Sequence, residues 1–469
     1  MPPVRLWSTG GVSTTLPAVR LLALLGAAVL STAPVLEPLA GPAIFAPATT
    51  VTVEAAQAAV PDAAAVSAAV GPALAAAPGV VHAEIRDAAT GEVIHAQAED
   101  DPVAPASAVK VLTAATALRT LGPDRTLRTR VVAVEPAAAG GPTELVLVGG
   151  GDALLGTGAS DPSRVDGRAG LQTLAERTVA GLAERGVSGD VVVSTDLRLF
   201  EGAALNPVWG DSLAESGNIT AVQPLAAYGG RERPGTGEDR VADPAAFAAR
   251  TFQDRLDDAV AASGADLRVS VREQIPATAE ARDAVLAAEP VAVVESAPVQ
   301  EVAAYMLAHS ENQVAETLAH ASAYAVGRPA THDGAAALLE DVAADLGLDT
   351  AGMALVDASG LSGENRASAA QLAGLVTALA WVPGLTPVLD GLPRPGEDST
   401  LAERFRGTAA EDAVAAKTGT LGQTVSLTGT VETTSGRVLT FSIVTADIDW
   451  KVDEARAAID AAVTALAEL

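Results

Sequence analysis

The sequence predicts an α/β fold in which helices flank an antiparallel sheet, with a large, mostly β segment inserted near its middle. Three observations lead there. Each end of the chain supplies one helix and one hairpin, and the two hairpins combine most economically in a single sheet with helices on its faces. From about 127 to 290 the texture changes to short apolar runs separated by Gly- and Pro-rich loops. Helical texture then resumes near 298. The expected organisation is one domain built from 49–126 plus 291–469, with 127–290 inserted, behind an N-terminal segment 1–48.

The elements follow in order. Arg5 and Arg20 precede the apolar run Leu21 to Leu30, which is too short for a comfortable membrane span. A positive start and a short apolar core match a secretory signal peptide, and Ala46 to Ala48 offers small residues for cleavage. An uncleaved anchor is the rival reading, and membrane contact would then run only through it. Either way the rest of the chain is expected outside the cytoplasm, in the envelope or secreted. Residues 49–62 read as a linker whose last residue, Asp62, caps a helix over 63–76. "VVHAEIRDAATGEVIHAQ" reads as a hairpin about the turn "DAATG". "PASAVKVLTAATALRTLG" reads as a helix with Pro105 near its first turn and Gly122-Pro123 as its stop. The inserted segment shows strands at "TRVVAVE", "ELVLVGGGD" and "GDVVVSTDLRLF", one helix near 169–185 and a polar, mobile-looking loop "GGRERPGTGEDR". The chain closes on a hairpin with a Ser-Gly turn and a helix over 451–468.

Composition removes several function classes. With 58 acidic against 30 basic side chains the net charge is −28, which argues against nucleic acid as a partner. Cysteine is absent, so disulfides, a thiol nucleophile and Cys-ligated metal are excluded. Aromatic residues are only 3% of the chain, so the core must be built of Ala, Val and Leu. The five histidines show no spacing such as H-E-x-x-H and read as structural or surface residues. His309 abuts Ser310, but no G-x-S-x-G elbow accompanies it. "GGGD" lacks the Gly-Lys-Ser/Thr ending of a phosphate-binding loop.

The basic residues carry the sharpest signal. Only Lys110, Lys417 and Lys451 are lysines; every other basic residue is arginine. Ser107 and Lys110 stand three apart at a helix start, so their side chains share a face. A serine hydroxyl needs a base to become a nucleophile. Lysine can serve once burial and a second nearby cation lower its pKa, whereas arginine stays charged. Lys417-Thr418-Gly419 lies directly before the last strand pair. Lys and Thr there could hold a carboxylate, and glycine lets a substrate backbone approach an edge strand. In "SENQVAETL", Ser310 offers a hydroxyl for proton relay and Asn312 an amide to a substrate carbonyl. Each motif alone is common.

In this order, S-x-x-K, S-x-N and K-T-G are the motif set of penicillin-binding proteins and class A β-lactamases. The flanks "PAS..K..TA..AL..LG", "GGGD", "SENQVAETL", "DASGLSGENR" and "KTGTL…SLTGTV…GRVLTFSIV" resemble the low-molecular-mass penicillin-binding proteins of peptidase family S13, the D-alanyl-D-alanine carboxypeptidase/endopeptidase type. The resemblance spans about 75 to 446. Ser107 and Ser310 are 203 residues apart, room for the large insertion that this family carries.

The resemblance implies a transpeptidase/serine β-lactamase-like domain. It implies a serine DD-peptidase that removes the terminal D-Ala from peptidoglycan stem peptides, with cross-link cleavage as a second activity and β-lactams as inhibitors. Ser107 would be the acylated nucleophile and Lys110 its base. Ser310, Asn312 and Lys417 would complete the proton network. Thr418 and Thr420, about Gly419, would hold a carboxylate, and the backbone N–H groups of Ser107 and Thr420 would form the oxyanion hole. No metal or organic cofactor is implied. Three departures stand out. Ala358 replaces the usual Gly, Gly363 replaces an Arg, which leaves side-chain specificity open, and Glu311 replaces the commoner Asp, at a position expected not to touch the chemistry. Two rivals remain at this point: a β-lactamase or esterase on the same domain, and a wall-binding protein with a vestigial site.

Overall fold

In the computed structural model, residues 58–469 are described, except 135–140, 236, 238 and 272–278. The segment 1–48 and most of the expected linker lie outside the described residues. Asp62 opens the first helix: its carboxylate accepts from the N–H groups of Ala64 and Ala65, and α1 runs Ala63–Ala76. Strands β1 (Val80–Asp87) and β2 (Val93–Gln97) form the first hairpin. A 3-10 turn, Ala106–Val109, leads into α2 (Lys110–Leu121), which ends at Gly122 with φ 91°.

The middle segment holds β3 (Thr126–Val134), β4 (Thr143–Val148), β5 (Asp152–Leu155), α3 (Leu171–Glu184), β6 (Gly189–Asp196), α4 (Gly210–Glu215), β7 (Leu225–Ala227), α5 (Pro244–Ser263), β8 (Leu267–Val271), α6 (Ala279–Ala287) and β9 (Pro290–Pro298). Beyond it come α7 (Val299–His309), α8 (Asn312–Ala325), α9 (His332–Asp345), α10 (Ala369–Trp381), α11 (Thr386–Asp390), β10 (Val414–Leu421), β11 (Thr424–Glu432), β12 (Val438–Ala446) and α12 (Val452–Ala467).

The two terminal hairpins share one antiparallel sheet, ordered β10-β11-β12-β1-β2. Alternate residues face α1 and α12: Val81, Ala83 and Ile85 on β1, Leu439, Phe441 and Ile443 on β12. The helical layer contains α2, α7, α8 and α9. Every residue of α2 from Lys110 to Leu118 is buried, so α2 is enclosed all round.

A second five-stranded sheet, ordered β8-β6-β4-β3-β9, draws its strands from the middle of the chain and reaches Pro298, past the expected boundary at 290. It is mixed: β4, β6 and β8 pair in parallel, while β3 is antiparallel to β4 and β9. The sequence reading allots this region one helix, but α4, α5 and α6 are there too. Helix α5 has the expected punctuation, with Asp243 accepting from Ala246 N–H, Pro244 in the first turn and Gly264 left-handed at its end. Alanine saturation of its interior hides its period.

Candidate active site

The site begins with a buried charge. By volume, Lys110 and Lys417 are among the four largest fully buried side chains, with Phe252 and Phe441. Lys451, the third lysine, is exposed. Lys110 is buried because it is the first residue of the enclosed helix α2. Its ammonium nitrogen lies 2.9 Å from Ser107 Oγ, 2.8 Å from Asn312 Oδ1 and 2.5 Å from the carbonyl of Ser359. Burial pushes its pKa down to about 8; Asp357, Glu316 and Glu311 oppose the fall and the Arg240 charge adds to it.

The three partners are not equivalent. The Ser359 carbonyl can only accept. Asn312 Nδ2 donates to the Asn218 carbonyl at 3.0 Å, which turns Oδ1, also an acceptor, onto Lys110. A neutral amine has two N–H groups and one lone pair. Spending both N–H groups on these acceptors leaves the lone pair for the Ser107 hydroxyl. The arrangement can therefore take a proton from Ser107. Asn312, expected to offer its amide to a substrate carbonyl, has both ends engaged within the protein.

Ser107 sits in the 3-10 turn that abuts β10 and β11. Ala106, immediately before it, has φ 50°, a strained backbone for a residue with a Cβ. The turn is held from below by Ser426, whose hydroxyl donates to the Pro105 carbonyl at 2.9 Å. Gly419 is required at this contact: a Cβ there would lie 2.2 Å from Ser426 Oγ and 3.1 Å from Ala106 Cβ. The Lys417-Thr418-Gly419 motif lies within β10, rather than ahead of it, and β10 is an edge strand. The glycine serves to bring this strand against the Ser107 turn.

Lys417 Nζ donates to the Thr418 carbonyl at 2.8 Å. Burial, first, and the neighbouring Lys110, second, push its pKa well below the ordinary lysine range. Thr418 is half-buried and donates its hydroxyl to Thr400 Oγ1 at 2.9 Å, and Thr420 is exposed. Ser310 ends α7 in the left-handed region, φ 56°, two residues before Asn312, which is the first residue of α8. Among the described residues the Ser310 side chain makes no hydrogen bond to Ser107, Lys110 or Lys417.

The family profile of D-Ala-D-Ala carboxypeptidase 3 (S13) matches residues 64–234 and 225–469. The chain belongs to the S13 family. It is a serine-type D-Ala-D-Ala carboxypeptidase of that family, on a mixed α/β fold. The chain is 35% identical over 376 residues to carboxypeptidase DacB of Mycolicibacterium smegmatis, covering 78% of this chain and 76% of the relative. Its fold is similar to that of penicillin-binding protein 4 from Haemophilus influenzae, with a TM-score of 0.67 and 17% identity over 84% of this chain and 97% of that one. The same protein complexed with a novel β-lactam gives a TM-score of 0.59, with 18% identity and the same coverage.

In this S13 peptidase two groups of residues support the motifs through contacts that the sequence does not show. The first is "DASGLSGENR". Asp357 accepts from Gly360 N–H, Ser362 N–H, Asn365 Nδ2 and Trp209 Nε1, at 2.7 to 2.9 Å. The loop so fixed presents the Ser359 carbonyl to Lys110. Gly360 allows the loop to close on the Ser107 turn, because a Cβ there would lie 1.9 Å from the Ala106 carbonyl.

The second is the loop 229–240, which reads as mobile but carries two buried arginines. Arg231 Nη2 lies 2.7 Å from Glu311 Oε1, and Arg240 Nη2 lies 3.2 Å from Glu311 Oε2. Arg240 Nε also donates to the Gly217 carbonyl at 2.7 Å, next to Asn218, which orients Asn312. Glu311, expected not to touch the chemistry, thus lies among the charged groups that act on Lys110. Of the charges around Lys110, Glu311 opposes the fall of its pKa and Arg240 adds to it. Arg240→Met breaks a buried pair and should cost about 3 kcal/mol in urea denaturation. It also removes a charge that lowers the Lys110 pKa. The midpoint of the acylation profile should move to higher pH, and acylation at pH 7 should slow. An unshifted midpoint in a folded variant would contradict the electrostatic part.

Proposed function

We propose that Ser107 is the acylated serine and Lys110 its general base. The observation that carries this reading is the placement of Lys110 Nζ, 2.9 Å from Ser107 Oγ, with two obligate acceptors, Asn312 Oδ1 and Ser359 O, as its other partners. Ser107 Oγ attacks the carbonyl carbon of the penultimate D-Ala in a peptidoglycan stem peptide. Its proton passes to Lys110 and then to the departing amine of the terminal D-Ala. Water next attacks the ester and gives a proton to Lys110, which passes it to Ser107 Oγ as the ester C–O bond breaks and the peptide leaves as its carboxylate. Ser310 and Lys417 carry the proton relay on the leaving-group side, and Lys417, Thr418 and Thr420 meet the substrate carboxylate. Gly419 keeps their strand close to Ser107. The backbone N–H groups of Ser107 and Thr420 take the developing oxyanion.

A β-lactam fits the same sequence of steps, with its amide carbonyl taken by Ser107 and its carboxylate by the β10 residues. The family membership supports action outside the cytoplasmic membrane; among the described residues no helix is long and apolar enough to cross one. The segment 1–48 acts in this reading as the export signal, or as an anchor if uncleaved. The stretch from Thr126 to Pro298 is an insertion in the catalytic domain, a reading supported by its separate five-stranded sheet.

Defined muropeptides test the activity. With a monomeric pentapeptide, mass spectrometry should show loss of one D-Ala. With a cross-linked dimer, cleavage of the D-Ala bridge marks the endopeptidase activity. Covalent labelling by a fluorescent penicillin should outlast removal of free drug. Rapid drug turnover without peptide cleavage would favour a β-lactamase, and neither label nor product would mark a vestigial site.

A further inference from the structure

Behind the Lys110 site lies a buried cluster that peptide hydrolysis does not use. Glu316 and His320 stand four apart on α8 and so share a helix face. His332 begins α9, where the Thr331 hydroxyl caps the helix by accepting from Gly334 N–H. The three side chains are 0%, 1% and 6% exposed. One ligand-capable atom from each lies within 4.8 Å of the other two.

The hydrogen bonding of this cluster is unfinished. Glu316 Oε1 is used, accepting from Ala358 N–H at 3.0 Å and Ser359 N–H at 2.9 Å. Glu316 Oε2 has no hydrogen-bond partner, and neither ring nitrogen of His332 has one. His332 Nδ1 stands 3.7 Å from Glu316 Oε2, too far for a direct hydrogen bond. A proton shared by these two would still leave His332 Nε2 unpaired. Rings pack around the cluster: His332 lies edge-on against Trp209 and His320, and His320 packs against Phe200. Buried polar atoms without partners are costly and call for an explanation, an ion among them.

The third member is already oriented as a ligand. His320 Nδ1 lies 2.8 Å from the Glu316 backbone carbonyl, which only accepts, so Nδ1 carries the hydrogen and Nε2 keeps the lone pair. Metal-bound histidines usually donate their second nitrogen in this way. Two imidazoles and one carboxylate are a ligand set of divalent zinc.

We propose that Glu316, His320 and His332 bind one divalent transition-metal cation of the zinc type, as a structural site joining α8 to the start of α9. The cation enters during folding, because the finished site is enclosed. It takes no part in peptide cleavage. Its effect on the active site is positional: it fixes the carboxylate whose other oxygen holds the Ala358–Ser359 backbone, and that backbone presents a carbonyl to Lys110.

The test uses the full secreted chain, purified without chelator on a histidine-free affinity tag. Elemental mass spectrometry should find about one zinc per chain in the wild type. His320→Gln and His332→Gln should each hold less than about a tenth of that. Since either variant could fail to fold, the wild-type chain is also refolded with cobalt(II) in place of zinc. The visible absorption of low-coordinate cobalt should appear, and zinc should abolish it by displacement. Thermal unfolding should move upward on metal addition to chain refolded in chelator. A wild-type chain with under about a tenth of an equivalent of metal, and no cobalt spectrum after refolding, would overturn the proposal. So would folded variants that retain the wild-type metal content.

Discussion

Ser107→Ala should abolish penicillin labelling and D-Ala release while leaving the thermal unfolding temperature close to that of the wild type. The hydroxyl removed is half-buried, and of the groups around Lys110 it is the one assigned to reaction. Asn312 and the Ser359 carbonyl still hold the amine in the variant. Removing a serine nucleophile from such a unit costs on the order of a millionfold in turnover. Intact-mass measurement after exposure to penicillin checks this: the wild type gains the mass of one drug, the variant gains none. A covalent adduct on the variant would reassign the nucleophile.

The second large effect separates the two buried lysines. Lys110 is enclosed by three oxygens at 2.5 to 2.9 Å and must present a lone pair. Arginine has no lone pair to offer at working pH, and its planar fork is larger than an ammonium. Lys110→Arg should therefore lose nearly all acylation, including at pH 9. Lys417 has a different environment. It donates to its own strand at the Thr418 carbonyl, and burial together with Lys110 holds its pKa well below the ordinary lysine range. Arginine at 417 keeps a positive charge beside the substrate carboxylate but misplaces it. Lys417→Arg should acylate roughly a hundred- to a thousandfold slower than wild type, the scale of losing one oriented electrostatic donor. Second-order acylation rates with one penicillin distinguish the cases. A dead but folded Lys417→Arg would mean that Lys417 itself must lose a proton.

Much of this was legible because a few residues have only one economical use. Asp62 before an alanine-rich run is a helix cap and is found as one. The scarcity of lysine marks Lys110 and Lys417, and both prove fully buried within the motif strand and helix. The terminal hairpins read as partners in one sheet, and β1 does pair with β12. What escaped depends on contacts between distant segments. Arg231 and Arg240 lie in a loop whose composition resembles solvated surface, and only the fold shows that they meet Glu311, 80 and 71 positions away. The role of Asp357 likewise depends on Trp209 arriving from the middle segment. Parallel pairing of β4, β6 and β8 leaves no local turn signal, since such strands are joined by crossovers rather than hairpins. Glu316 and His320 have a readable four-residue spacing, but the third member arrives from the next helix.

Lys110 is also held below the ordinary lysine range by burial and by Arg240, against three nearby carboxylates. The sign for catalysis follows. Below about pH 8 the amine is protonated and has no lone pair for Ser107, so acylation should fall roughly tenfold per pH unit. Above about 8 the amine is neutral and the rate should level. The direct test is the second-order acylation rate of the wild type with one penicillin, measured from pH 6 to 10. A rise with its midpoint near 8, followed by a plateau, is expected from a buried Lys110 acting as base. A rate that is flat across this range, or that falls as pH rises through 8, would contradict it.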